Sequence, residues 1–331
     1  MKALVTGGGG FLGGAIVRAL LERGGTVRTF QRGDYPVLNA LGVEVCRGDL
    51  VDKDMIGKAA EGCDIVFHVA AKAGVWGDFD DYYRCNVSGT RNVIDACLKN
   101  GVSRLIYTST PSVVFKGDDE ENIDATIPYP SRFFNAYQET KALAERSVLK
   151  ANRASLATVA LRPHLIWGPG DPHLVPRIVE RARRGKLRMV GERTNLVDST
   201  YIDNAALAHI LAVDHLQPGS ACAGKAYFIS NGEPIAMAEL INRILAAAHL
   251  PPVSKTVSPS VAYAAGTLLE NIYKLLRIKK EPLMTRFVAR QLASAHWFDL
   301  SAAKRDLGYE PVVSIDEGMQ RLEQALMKNN I

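Results

Sequence analysis

The first apolar run, Ala3-Leu4-Val5, is short, uncharged and followed directly by glycines, the pattern of a strand buried on both faces. Beyond Thr6-Gly7-Gly8-Gly9-Gly10, apolar residues return at helical spacing (Leu12, Ile16, Ala19, Leu20), which predicts a helix over residues 11–21. The same alternation repeats down the chain. Strands are expected at 26–30, 43–46, 64–69 and 104–110, and helices at 52–60, 80–99 and 134–150. Strand followed by helix, several times over, predicts an α/β doubly wound fold with a parallel sheet. Residues 117–130, rich in Asp, Glu and Pro, read as a long loop. After Pro163 the alternation breaks down, so a second, smaller region is expected there.

Strand, glycine turn and helix start together make a site for a pyrophosphate. Glycine leaves room for the phosphates, and the unpaired N–H groups of the helix end face the anion. The spacing is Gly7-x-x-Gly10-x-x-Gly13 rather than G-x-G-x-x-G, with Phe11 and Leu12 inside it. A flexible N-terminal loop is the blander alternative. No Gly-Lys-Ser/Thr follows, which argues against a nucleoside-triphosphate loop.

An NAD site usually carries an acid near the end of the second strand. Here that region reads Arg28-Thr29-Phe30-Gln31-Arg32-Gly33, with no carboxylate before Asp34. The forked guanidinium of Arg32 suits a 2′-phosphate, which favours NADPH/NADP over NAD, unless Arg32 is merely a solvated loop residue. Asp49 and Leu50 could meet the edge and face of an adenine, or Asp49 could cap the helix of 52–60. Ala70 and Ala71, small residues at the end of the fourth strand, would let a cofactor lie against backbone. Asn86 and Gly89, inside an apolar-faced helix, suggest close packing against a neighbour or ligand.

The strand at 104–110 ends in three hydroxyls, Thr108-Ser109-Thr110, and the helix after it carries Tyr137 and Lys141, four apart on one face. Free tyrosine titrates near pH 10; an ammonium and a nicotinamide cation beside it would favour phenolate. Tyr137 could then exchange a proton with a carbonyl oxygen that Thr110 also binds.

Taken with Thr6–Gly13, Gly48-Asp49-Leu50, Asn86-Val87-Ser88-Gly89-Thr90, Tyr107–Thr110, Tyr137-x-x-x-Lys141 and Leu161–Asp171, the chain resembles the extended short-chain dehydrogenase/reductases over nearly its whole length. It is most similar to their 3β-hydroxysteroid dehydrogenase branch. Within that branch, Thr108–Val113 and Lys225–Pro234 resemble the bacterial ketoreductases of long-chain olefin biosynthesis. The resemblance implies a Rossmann-type doubly wound sheet (residues 1–167 and 198–224) with a smaller, discontinuous substrate region (168–197 and 225–331). It implies Tyr137 as general acid, Lys141 lowering its pKa and holding the nicotinamide ribose, and Thr110 orienting the carbonyl. Pro163, Ile166 and Asn86 fall where the family contacts the cofactor. The implied substrate is a long-chain, lipid-like 2-alkyl-3-keto acid reduced by NADPH. A steroid or sterol alcohol is the second reading, and a cofactor-bound sensor without turnover the third. A homodimer through helices 80–99 and 134–150 is also implied, as are partner enzymes of the olefin pathway.

Composition changes this picture little. The chain has 331 residues, 47% hydrophobic and 23% charged, with a net charge of +5. Neither Arg181–Arg184 nor Arg277–Lys280 has the aromatic interleaving of a nucleic-acid site. Seven dispersed histidines and five unpaired cysteines suggest neither metal nor disulfide framework. With no leader and no run of 18 apolar residues, a cytoplasmic location is expected. Val261, Ala264, Ala265, Leu268, Leu269, Ile272, Leu275 and Leu276 repeat at helical spacing before Arg277, Lys279 and Lys280. That stripe reads as a lid packed on the substrate region, or as a membrane-surface helix over 261–280. Trp76, Trp167 and Trp297 line the pocket or fill core. A keto acid's carboxylate needs a cation, for which Lys72, Arg177 and Arg183 are candidates.

Overall fold

The computed structural model describes residues 1–328; the last three residues of the expected substrate region lie outside them. Seven strands form one parallel sheet: β1 (Lys2–Thr6), β2 (Thr26–Gln31), β3 (Glu44–Arg47), β4 (Ile65–His68), β5 (Arg104–Thr108), β6 (Ala157–Pro163) and β7 (Lys225–Ile229). Their order across the sheet is β3-β2-β1-β4-β5-β6-β7. Leu4, Val5, Val66, Phe67, Leu105 and Ile106 are fully buried, as strands covered by helices on both faces require. The order reverses between β1 and β4, and a crevice opens at the strand ends beside that point.

Five helices matter to the site: α1 (Phe11–Glu22), α2 (Gly89–Asn100), α3 (Ala136–Lys150), α4 (Ile202–His215) and α5 (Pro259–Leu275). Glu120–Ile123, Leu196–Val197, Ile235–Ala236 and His296–Phe298 form a second, four-stranded sheet in the smaller region. Residues 117–130 are therefore not wholly loop: Glu120, Glu121 and Ile123 pair with His296–Phe298, a partner that lies far along the chain. β7 also departs from expectation. Residues 225–229, assigned by sequence to the substrate region, close the edge of the large sheet with Tyr227, Phe228 and Ile229 buried against it.

The expected single helix over 80–99 is broken into Phe79–Tyr82, a π-helical turn at Tyr83–Ser88, and α2. Such a wide turn re-aims side chains and recurs at functional sites. Here it turns Asn86 onto the loop after β4, where its Oδ1 accepts from the Lys72 N–H at 2.7 Å and its Nδ2 donates to the Lys72 carbonyl at 3.1 Å. Gly89 follows at a close approach. A Cβ there would lie 2.8 Å from that of Leu50.

Beneath the sheet end, Glu145 on α3 takes both prongs of the Arg162 guanidinium, at 2.7 and 3.0 Å, and the Tyr129 hydroxyl at 2.6 Å. Both charged side chains are buried. Every polar atom of the carboxylate is thereby occupied, the condition under which a buried pair is tolerated.

Candidate active site

The glycine turn is built so that nothing but backbone faces the crevice. Gly7 adopts φ +72°, and a Cβ on it would crowd the Ala70 backbone at 3.1 Å. A Cβ on Gly13 would sit 2.1 Å from the Gly7 carbonyl oxygen. No described side chain caps the start of α1, so its first-turn N–H groups remain open to an anion.

These residues line one cleft of about 970 Å³. Gly7, Gly10, Phe11, Leu12 and Gly13 form its floor at one end, with Arg32, Asp49 and Leu50 beside them. Ala70, Ala71, Thr108 and Ser109 form the middle, and Thr110, Tyr137, Lys141, Pro163 and Ile166 the far end. Asn86 lies behind the wall, bracing it through Lys72 and Thr140. Asp49 does not cap the helix after it. Asp52 does, accepting from the Asp54 and Met55 N–H groups, because it stands immediately before the first turn at Lys53.

Gln31, Tyr35, Asp171 and His173 also line the cleft, and sequence reasoning passed over them. Gln31 had a signal, since it ends β2 where an NAD site places its acid. Its Oε1 is buried without a partner, while its Nε2 donates to the Thr29 hydroxyl at 3.3 Å. Asp34, the first acid after it, is engaged with Arg47 instead. Arg32 is exposed at the rim. The backbone cradle at Gly7–Gly13 and the orphan oxygen of Gln31 both fit a dinucleotide.

The hydroxyl strand does not run to residue 110. β5 stops at Thr108, and Thr110 instead opens a short 3₁₀ turn, Pro111–Val113, accepting from the Ser112 N–H at 3.3 Å. α3 is fixed just before Tyr137 by a reciprocal cap. Asn135 accepts from the Gln138 N–H at 2.9 Å, and the Gln138 side chain accepts from the Phe134 N–H at 2.8 Å. Gln138 also donates to the Phe115 carbonyl at 2.6 Å, tying α3 to the segment after Thr110.

Lys141 is buried; its Nζ donates to the Thr108 carbonyl at 2.6 Å and lies 4.2 Å above the Tyr107 ring. Burial pushes this amine down to about 7. Burial holds the Tyr137 hydroxyl above the usual 10, against a smaller downward pull from the Thr110 hydroxyl. A protonated tyrosine is a proton donor, the form a carbonyl reduction needs.

Two buried histidines brace the strand ends. His68 bridges the Thr6 and Thr90 hydroxyls, at 2.9 Å each, and Thr6 in turn accepts from the N–H groups of Val69 and Ala70. His209 bonds the Thr108 hydroxyl at 2.8 Å. Burial lowers His68 and His164 to about 3 and His209 to about 4. A base depressed in the fold contributes stability above its unfolded pKa and loses it as pH falls. Each histidine is thus expected to cost about 2 kcal/mol between pH 7 and pH 5. Asp198, raised to about 6 by burial, returns roughly 1 kcal/mol on protonation. A net loss of about 5 kcal/mol should appear in urea unfolding at the two pH values. Equal stability at both would show that these rings charge freely.

The sequence profile described as the 3-beta hydroxysteroid dehydrogenase/isomerase family matches residues 4–257. This chain belongs to that family. It is 55% identical, over 98% of its length and 86% of the relative's, to a protein of Shewanella oneidensis named 2-alkyl-3-oxoalkanoate reductase. It is 38% identical, over 98% of its length and 90% of the relative's, to a Mus musculus sterol-4-alpha-carboxylate 3-dehydrogenase, decarboxylating. The solved UDP-glucuronic acid 4-epimerase of Bacillus cereus in complex with NAD shares the fold, with a TM-score of 0.78 at 21% identity and full coverage of both chains. As a member of this family the chain is an oxidoreductase acting between alcohol and carbonyl, on a dinucleotide-binding Rossmann fold.

Outside the cleft, two expectations change. The stripe of 261–276 is not a packing face: Val261, Leu268, Ile272, Leu275 and Leu276 are exposed, and α5 is held by Ala262, Gly266 and Glu270 on its other side. Trp167 is core, its Nε1 donating to Ser199, whereas Trp76 donates to the Ile278 carbonyl at the edge of the smaller region. Among the described residues no cluster of metal-ligating side chains occurs, and no helix is long and apolar enough to cross a membrane.

Proposed function

We propose that the chain uses NADPH to reduce the 3-keto group of a long-chain 2-alkyl-3-oxo acid to the 3-hydroxy acid. The observation that carries this reading is the 55% identity, over nearly the whole chain, to a reductase named for that substrate, against 38% for the sterol dehydrogenase. The two printed names share more than a fold. Each describes a carboxylate on the carbon next to the one that is oxidised or reduced, so the steroid alternative poses the same problem to the site.

A reduced nicotinamide, when bound, supplies the hydride. Tyr137, protonated, gives its proton to the carbonyl oxygen, which the Thr110 hydroxyl also holds in place. Lys141, near 7 and in contact with β5, stands where it can hold the ribose and pass a proton toward Tyr137. Gly7–Gly13 and the open end of α1 would take the pyrophosphate, Gln31 a ribose hydroxyl, and Arg32 the 2′-phosphate.

Lys72 best suits the substrate carboxylate. Its Nζ lies 4.8 Å above the Tyr82 ring, which meets the Tyr137 ring edge-on at 6.4 Å. Its only ion-pair partner among the described residues is the exposed Asp81. Arg177 is engaged by Glu281, and Arg183 faces a separate cavity of about 470 Å³ beside the C-terminal helix.

Cofactor choice is tested by Arg32→Ala. Removing a charge-assisted contact worth about 1.5–3 kcal/mol should weaken NADPH binding roughly 10- to 100-fold and leave NADH unaffected in fluorescence titration. Equal affinity of both forms for NADPH would remove Arg32 from the site and undermine the NADP preference.

A further inference from the structure

Six of the fourteen large apolar side chains that the described residues leave exposed fall between Val261 and Leu283: Val261, Leu268, Ile272, Leu275, Leu276 and Leu283. Leu268 is 61% exposed and Leu275 82%. Val261, Leu268, Ile272 and Leu275 share one face of α5. The opposite face does the packing. A Cβ on Gly266 would lie 2.6 Å from the Thr285 backbone, and Glu270 accepts from the Arg286 N–H at 2.7 Å while pairing with its guanidinium at 2.8 Å. A surface helix of a globular protein ordinarily buries its apolar stripe; this one displays it.

Cations border the stripe. Lys274, Arg277, Lys279 and Lys280 are all exposed. The only acids between residues 259 and 283 are Glu270, taken by Arg286, and Glu281, taken by Arg177. The stripe therefore ends in net positive charge, the acid that reaches Lys279 from a neighbouring element being Asp81, already paired with Lys72. A second copy seated here would bring two such cation sets together with no free acid on the face to meet them. An anionic surface with an apolar interior matches both halves of the pattern.

Aromatic side chains link the end of α5 to the cleft. Trp76 donates to the Ile278 carbonyl at 3.0 Å and meets Tyr273 of α5 edge-on at 6.0 Å. The Tyr82 hydroxyl donates to the Trp76 carbonyl at 3.2 Å, and the Tyr82 ring adjoins that of Tyr137. Two aromatic side chains separate the basic end of the stripe from the proton donor.

We propose that α5 and the segment to Leu283 dock on an anionic lipid surface, from which a long-chain substrate enters the cleft past Trp76 and Tyr82. The entry step rests on the keto-acid reading above; the docking does not. Flotation with phosphatidylcholine vesicles, with and without phosphatidylglycerol, measures docking without turnover. The full chain should float with the mixed vesicles and far less with phosphatidylcholine alone. Leu268→Glu combined with Leu275→Glu should cut that binding at least about tenfold. The same variant should retain turnover of a short-chain, water-soluble 2-alkyl-3-oxo acid. Lys279→Glu with Lys280→Glu should abolish the preference for phosphatidylglycerol. Wild-type chain that stays unbound, or binding that survives the leucine pair, overturns the proposal. So does sedimentation showing a dimer that Leu268→Glu dissociates. A chain that docks yet turns over no keto acid would leave docking standing and refute the substrate instead.

Discussion

Tyr137→Phe is expected to lower kcat by about a hundred- to ten-thousand-fold while leaving dinucleotide affinity intact. The substitution removes one oxygen and keeps the ring that packs edge-on against Tyr82 at 6.4 Å. It therefore tests proton donation apart from shape. The loss falls on kcat because the bond from the hydroxyl to the carbonyl oxygen strengthens as negative charge develops there. Because burial holds Tyr137 above its ordinary pKa, the wild-type reduction should be insensitive to this group across neutral pH. Lys141, near 7, is the group that should bend the profile. Reduction is expected to be flat in Tyr137 and to respond to pH around neutrality through Lys141. A phenylalanine variant retaining wild-type kcat would transfer the donor role elsewhere.

Arg162→Leu is expected to destabilise the fold by about 3–5 kcal/mol, measured by denaturant unfolding. It strands the Glu145 carboxylate, which is fully buried on the inner side of α3 and left with only neutral hydroxyl partners, Tyr129 and Ser109. The doubly substituted Glu145→Leu/Arg162→Leu chain should recover most of that loss, since no charge remains to solvate. Activity in the double variant should still fall. Glu145 lies one helical turn beyond Lys141 and helps keep that amine protonated, so its removal lowers Lys141 further. An Arg162→Leu chain as stable as wild type would mean that water reaches the carboxylate.

The nucleotide-binding half of the fold was legible because its signals are local. A buried apolar triplet, a glycine turn and a 3.6-residue period are each written in adjacent residues, and β1, α1 and β4 follow from them. The Tyr137–Lys141 pair was legible for the same reason. What failed depended on partners distant in sequence. Glu120–Ile123 is a strand only because His296–Phe298 arrives beside it, and β7 joins the large sheet only because β6 offers an open edge. The π-helical turn at Tyr83–Ser88 leaves no compositional mark. Periodicity found the stripe of α5 but not the side on which it lies, since a small residue such as Gly266 can be the packing face when backbone comes within reach. Spacing put Lys141 beside Tyr137 but did not reveal the burial that, in the chain alone, raises the tyrosine above its ordinary pKa. Gln31 was visible but mute, because an amide at the end of β2 acquires meaning only when its oxygen is seen to lack a partner.

The most direct measurement is NADPH oxidation, followed by absorbance, with a long-chain 2-alkyl-3-oxo acid, run beside NADH and beside a 3-ketosteroid. Rapid oxidation of NADPH by the keto acid, slow oxidation of NADH and little by the steroid is the expected result. Turnover of the steroid alone, or equal use of NADH, would contradict the proposed substrate in the first case and the proposed role of Arg32 in the second.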